Sequence, residues 1–440
     1  MIAASVLAHG VGTRADLPIP ASMAIIGGGA AVLVSFVALG ALWPDARLRG
    51  DAAGRPLPRP LAAVVDSAVM TFVLRLLALV IWVVLIVAAF VGSSDIPANV
   101  APWAFYIQFW VGLVIASLLL GPVWARVNPL RAVHAVLARL TGEAPGAESL
   151  PRLGYWPGVV AILSFVFLEL AFPGRSRPFV VGTYLVVYSV IQLLAAMWFG
   201  QGWFARGDGF EVYSTLIGRL SPFGRRDDGV LVVRNPLEGA AGLAQERGLA
   251  ALVVVLVGST AFDGLTRTIW WQSGPGINGD AATRPQLIGL PTMILIVAVL
   301  YFGATTLAGR ASGHDDGPGQ YAHSVIPIAA GYAIAHYFSL LLLDGQLTYI
   351  LGSDPFNRGW NLFGTGHNAV DYTAVSPRTI SLVQVAAIVG GHILGVVLAH
   401  DRAVRLAGPG RRSVARTSQY PLLAVMVTFT LGGLFLLLGG

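Results

Sequence analysis

The chain contains no cysteine. Disulfides, thiolate metal sites and haem-attachment motifs are therefore excluded. It also contains no lysine, so all 28 basic residues are arginine. That excludes a Schiff-base lysine, a lysine general base and a carbamylated-lysine bridge between two metals. Charge of either sign is scarce, at 11% of the 440 residues, where soluble domains carry ~25%. No basic patch interleaved with aromatics is present, so no nucleic-acid partner is expected. No Gly-x-Ser-x-Gly elbow and no His-x-x-x-His pair occurs, and Gly27–Gly29 lacks the Lys and strand context of a phosphate loop. The first ten residues, MIAASVLAHG, hold a short apolar stretch without a basic flank, a poor secretory signal.

What is there is hydrophobicity: 55% of the residues are apolar, and the mean hydropathy is +0.72. Ordinary soluble enzymes and disordered chains do not have this composition. A bilayer-spanning helix needs ~20 apolar residues. Ten runs qualify: 21–43, 71–92, 103–125, 156–172, 178–200, 248–264, 286–308, 320–343, 379–400 and 420–438. Two of them, 156–172 and 248–264, are short. Leu61–Met70 reads as an amphipathic lead-in to the second run.

Arginine orients the spans. With the N-terminus outside, twenty arginines fall in the inner loops and seven in the outer segments. Arg75, inside the second run, can snorkel to the inner surface. The alternation is a positive-inside pattern, and the net charge of +6 reads first as these inner loops. The weakest point is 309–320, with a single arginine. The expected fold is all-α: a polytopic transmembrane helix bundle of about ten spans in a lipid bilayer, both termini extracytoplasmic.

The expected organisation is an outer N-terminal segment (1–20), spans 1–5 (21–200), a cytoplasmic amphipathic loop (201–247), spans 6–8 (248–343), an outer cap loop (344–378) and spans 9–10 (379–440). In the cytoplasmic loop, Phe210, Tyr213, Leu216, Ile217 and Leu220 have helical spacing. They predict an interfacial helix, followed by a strand-like run at Val230–Arg234.

Ionisable side chains inside spans are costly and become functional candidates by default. Glu169, Asp263, His336 and Asp344 all fall in the outer third, with His367 in the cap and His9 at the N-terminus on the same side. Imidazole and carboxylate together suit a divalent transition metal such as zinc, copper or manganese. The metal reading takes His336, Asp263, His367 and His9 as ligands, with Glu169 and Asp344 as catalytic base or further ligand. The alternative is structural: helix-end carboxylates facing water or Arg, and a histidine bonding across helices. Cleavage after Ala8 would leave His9 as a terminal copper chelator; otherwise it is a solvated residue. His323, His392 and His400 share the inner half, as a proton path or as helix-pair hydrogen bonds. Gly331, Gly391 and Gly395 read as packing positions.

Five stretches carry a resemblance: HGVGTRADLPIP (9–20), GFEVY (209–213), GSTAFDGLTRTIW (258–270), YAHSVIPIAAGYAIAHYFSLLLLDGQ (321–346) and SDPFNRGWNLFGT (353–365). They resemble a family of actinobacterial multi-span membrane proteins labelled fenitrothion hydrolase or fenitrothion hydrolase-like. The resemblance runs over most of the chain, loops included. It implies a bacterial plasma-membrane protein that hydrolyses an organophosphate triester, and it brings no assigned catalytic residues. The absent lysine excludes the carbamylated-lysine machinery of soluble phosphotriesterases. Two functions stand side by side. One is a metal-dependent hydrolase of a small apolar ester. The other is a transporter, or a permease handling a metal ion such as copper, using the same polar residues. Protein partners are not readable; the loop and the cap are where they would dock.

Overall fold

The computed structural model describes residues 20–142, 144–276, 283–408 and 410–438. Its long helices follow the apolar runs, because a chain in hydrocarbon must satisfy its backbone internally. The ten spans are Ala21–Leu42, Ala68–Val91, Val100–Leu120, Trp156–Leu170, Pro178–Phe199, Leu249–Thr266, Thr283–Ser312, Gly317–Leu342, Pro377–Ala407 and Tyr420–Leu438. Among the described residues, nine are long and apolar enough to cross a membrane alone. The tenth, the short fourth span, qualifies with the preceding Ala147–Leu153 segment, from which it bends by 70°. A polytopic helix bundle of about ten spans is the fold.

The eighth span is the axis of the bundle and its most buried member. It crosses the ninth at a line of glycines: a Cβ on Gly391 would lie 2.5 Å from the Pro327 carbonyl oxygen, and one on Gly395 would lie 2.7 Å from that of Ser324. Spans 1 and 10 pack on the ninth. Spans 2 to 5 form a second layer on the other side, with spans 6 and 8 between the groups. The third span carries a π-helical turn, Ala104–Phe109, which places Phe105 and Phe109 stacked at 5.9 Å.

On the arginine-rich side, the inner one by the positive-inside pattern, the loops knit together. Three short strands, β1 (Arg55–Pro56), β2 (Phe223–Arg225) and β3 (Leu231–Val233), pair antiparallel in the order β1-β3-β2. β3 falls within the strand-like run expected from sequence. Asp51 accepts from Arg219 and Arg234, each at 2.8 Å. Asp401, on the ninth helix, accepts from the Arg47 and Leu48 amides.

Two local expectations are corrected. The lead-in to the second span is broken: a separate helix, Arg59–Val65, ends at Asp66, and Ser67 caps the next by accepting from the Met70 amide. The amphipathic segment after the fifth span is not interfacial. Its helix, Gly209–Gly218, is buried on nearly every face, because it packs inside the bundle against spans 3 and 4.

Candidate functional site

The outer site is built where spans 4, 6 and 8 meet. Asp263 lies one turn from the end of the sixth span and His336 lies in the last third of the eighth. His336 Nε2 donates to Asp263 Oδ2 at 2.6 Å. The neighbouring Tyr337 hydroxyl donates to the same oxygen at 3.0 Å and reaches Glu169 Oε1 of the fourth span at 3.5 Å. Arg267, four residues beyond Asp263, approaches Oδ2 at 3.5 Å. Tyr332, one turn before His336, stacks on its ring at 5.7 Å. Its hydroxyl comes so near Gly264 that a Cβ there would lie 2.3 Å from it. Asp263, His336 and Tyr337 are all buried; Glu169 is partly so.

Of the residues singled out in the sequence, the structure joins Glu169, Asp263 and His336. Tyr337, which couples them, carries no ionic signature and was not among them. Asp344 is buried at the outer end of the eighth helix, eight residues or ~12 Å along the axis from His336. His367 is exposed in the cap. His9 lies outside the described residues. Asp263 Oδ2 is approached by the His336 imidazole, the Tyr337 hydroxyl and the Arg267 guanidinium. Among the described residues, no three His, Asp or Glu side chains are placed to hold one ion. The described residues do not by themselves assemble a three-ligand set for zinc, copper or manganese.

The inner histidines are held separately. His400 bonds Gln419 Oε1 and the Trp43 carbonyl, tying the ninth helix to the end of the first span. His392 Nδ1 bonds the Ile388 carbonyl one turn back.

A second polar site was missed entirely from sequence. After Phe199 the chain turns back into the bundle. Trp203 Nε1 donates to Gln192 Oε1 at 2.7 Å, and Gln192 Nε2 donates to the Gly207 carbonyl at 3.1 Å. Asp208 then reaches the Tyr188 hydroxyl, which donates to its Oδ1 at 2.7 Å. Tyr188 is eleven residues above the end of its helix, ~16 Å, or about half of a ~30 Å hydrocarbon core. Gly209 rests on the fourth span, where a Cβ would lie 3.0 Å from the Ile162 amide nitrogen. The helix then descends until Gly218 meets Gly121 and Pro122. Residues 201–218 thus form a re-entrant hairpin, permitted at this depth because protein surrounds it.

Asp208 caps this buried helix, accepting from the Phe210 and Glu211 amides at 3.0 and 3.3 Å. Asn128 donates to Asp208 Oδ2 at 2.8 Å and to Glu211 Oε2 at 3.1 Å. Arg131 closes a two-pronged pair with Glu211. The sequence signal was the Asp208–Glu211 capping box. It announces a helix start but not its depth. Between the inner and outer sites lies an aromatic septum: Phe105, Phe165 and Phe210 meet edge-to-face at 5.3–6.0 Å, and Trp110 stacks on Tyr213 at 4.5 Å.

Comparison with protein-family models, with curated proteins and with solved structures finds no match for this chain.

Proposed function

We propose that this chain is a proton-coupled transporter of the bacterial plasma membrane. The observation that carries the reading is the Asp263–His336–Tyr337–Glu169 network, which links three different spans through one phenolic hydroxyl. A single O–H serves one acceptor at a time, and its shorter bond is to Asp263. Glu169 is therefore the member that takes up and returns a proton. Each change of protonation alters which bonds hold spans 4, 6 and 8 together, and so biases their packing. The inner site, the aromatic septum and the re-entrant hairpin supply the rest of a gated path, since broken helices at mid-membrane are the usual place for transporter sites.

The test is charge movement in proteoliposomes on a solid-supported membrane, across a panel of amines, acids, neutral lipophiles and metal ions. Saturable currents that grow with an imposed proton gradient, and vanish in folded Glu169→Gln, support the reading. Covalent conversion of a compound without vesicle-dependent movement overturns it.

Hydrolysis of a lipophilic ester is the second reading. The Asp263–His336 pair favours it, because a carboxylate that orients an imidazole is the arrangement of a general base. Release of the phenol from a nitrophenyl phosphotriester by the purified protein, lost in His336→Gln, is its test.

A further inference from the structure

Spans 4 and 5 do not close on each other along their membrane-facing side. A cleft of about 470 Å³ lies between them. Its walls include Phe167, Phe172, Phe179, Val187 and Ile191, all exposed on the bundle surface. It therefore opens sideways, where the bilayer would be, over the middle and outer half of the two helices. Its floor is aromatic and polar. Tyr184 and Tyr188 stack at 5.7 Å, and the Tyr184 hydroxyl meets Ser164 Oγ at 3.1 Å.

At the hydroxyl end of Tyr188, on the bundle side of the cleft, is Asp208. The hydrogen bonds to this carboxylate come from a phenol, a carboxamide and two backbone amides. Among the described residues none comes from a cation, since the nearby Arg131 guanidinium is engaged with Glu211. The contrast with Asp263, which has Arg267 and His336 against it, is direct. The cleft thus places two stacked tyrosines at its floor in a low-dielectric setting, with a carboxylate hydrogen-bonded to the hydroxyl of one of them. The field of that carboxylate favours a lipophilic cation in the cleft over an anion of the same shape.

We propose that this cleft binds a lipophilic organic cation entering sideways from the membrane. That the cation is also the transported species rests on the transporter reading; the binding itself does not.

The experiment is equilibrium binding to the full chain in nanodiscs, using tetraphenylphosphonium and its near-isosteric anion tetraphenylborate. Empty nanodiscs give the partition background. Expected is saturable binding of the cation at least tenfold tighter than of the anion. Asp208→Asn should weaken the cation about tenfold and bring the two ions toward parity. Thr183→Trp, which fills the cleft from an exposed position, should abolish saturable binding and leave the fold intact. Should Asp208→Asn fail to fold, the comparison of the two ions and Thr183→Trp still decide. Equal binding of both ions, as when the cleft holds only lipid acyl chains, overturns the proposal. So does cation binding that survives Thr183→Trp. Glu169→Gln should bind the cation normally, so loss of proton coupling and loss of this site are read separately.

Discussion

Asp208 belongs to the segment between the fifth and sixth spans, yet its carboxylate accepts a 2.7 Å hydrogen bond from Tyr188 at the midpoint of the fifth. The relation means that residues between two spans are not thereby outside the membrane. It converts a loop into a re-entrant hairpin, and the helix it starts into part of the core.

The hairpin makes a clean labelling prediction, because the chain has no native cysteine. In inside-out vesicles, Asp228→Cys in the exposed inner turn should react fully with a membrane-impermeant maleimide. Ile217→Cys, buried in the re-entrant helix, should react only after denaturation. An interfacial helix would show alternating reactivity through 210–217 instead.

The outer network should behave as one unit. Removing a buried acceptor strands the donors that share it, at ~1–3 kcal/mol each, so Asp263→Ala should lower the detergent unfolding midpoint strongly. Tyr337→Phe removes one hydrogen bond, worth ~1 kcal/mol, and should cost less. Because Tyr337 and His336 share Asp263 Oδ2, the His336→Ala/Tyr337→Phe double variant should be non-additive. Strict additivity would deny the shared acceptor.

Two adjacent glycines offer an internal control. A Cβ at Gly391 would sit 2.5 Å from the Pro327 carbonyl oxygen, while at Gly390 nothing lies within 4 Å. Overpacking costs ~1–3 kcal/mol, so Gly391→Ala should destabilise the protein and Gly390→Ala should be near neutral. Thermal unfolding in detergent reads both; equal midpoints would contradict the close crossing of spans 8 and 9.

The inner knot centres on Asp51. Its two arginine partners come from the 201–247 segment, and the Arg234 side chain is only 3% exposed. Asp51→Asn strands that buried guanidinium and should expose the inner loops to limited proteolysis at the 226–229 turn. Asp228→Asn, which loses only an exposed pair, should leave the cleavage pattern unchanged. Identical digestion of the two variants would show that the knot contributes nothing.

The spans were legible in the sequence because length and hydropathy are local properties. A run of about 20 apolar residues has few structures open to it. The glycines at 331, 391 and 395 were legible as packing positions for a similar reason: small side chains matter only where backbones approach. Asp263, His336 and Glu169 were legible as candidates because charge inside an apolar run is visible without a partner.

What the tertiary structure alone decided was pairing and depth. Tyr337 became the link because its hydroxyl lies between carboxylates 74 and 168 positions away, a relation that no window along the chain contains. His367, identical in chemistry to His336, is exposed in the cap. The Phe210–Leu220 pattern marked one apolar face and suited a membrane surface. The bundle instead buries almost every face of that helix, because Gly209 and Gly218 let its two ends press against spans 4 and 3. Hydrophobic periodicity states that a face needs covering; only the assembled chain determines what covers it.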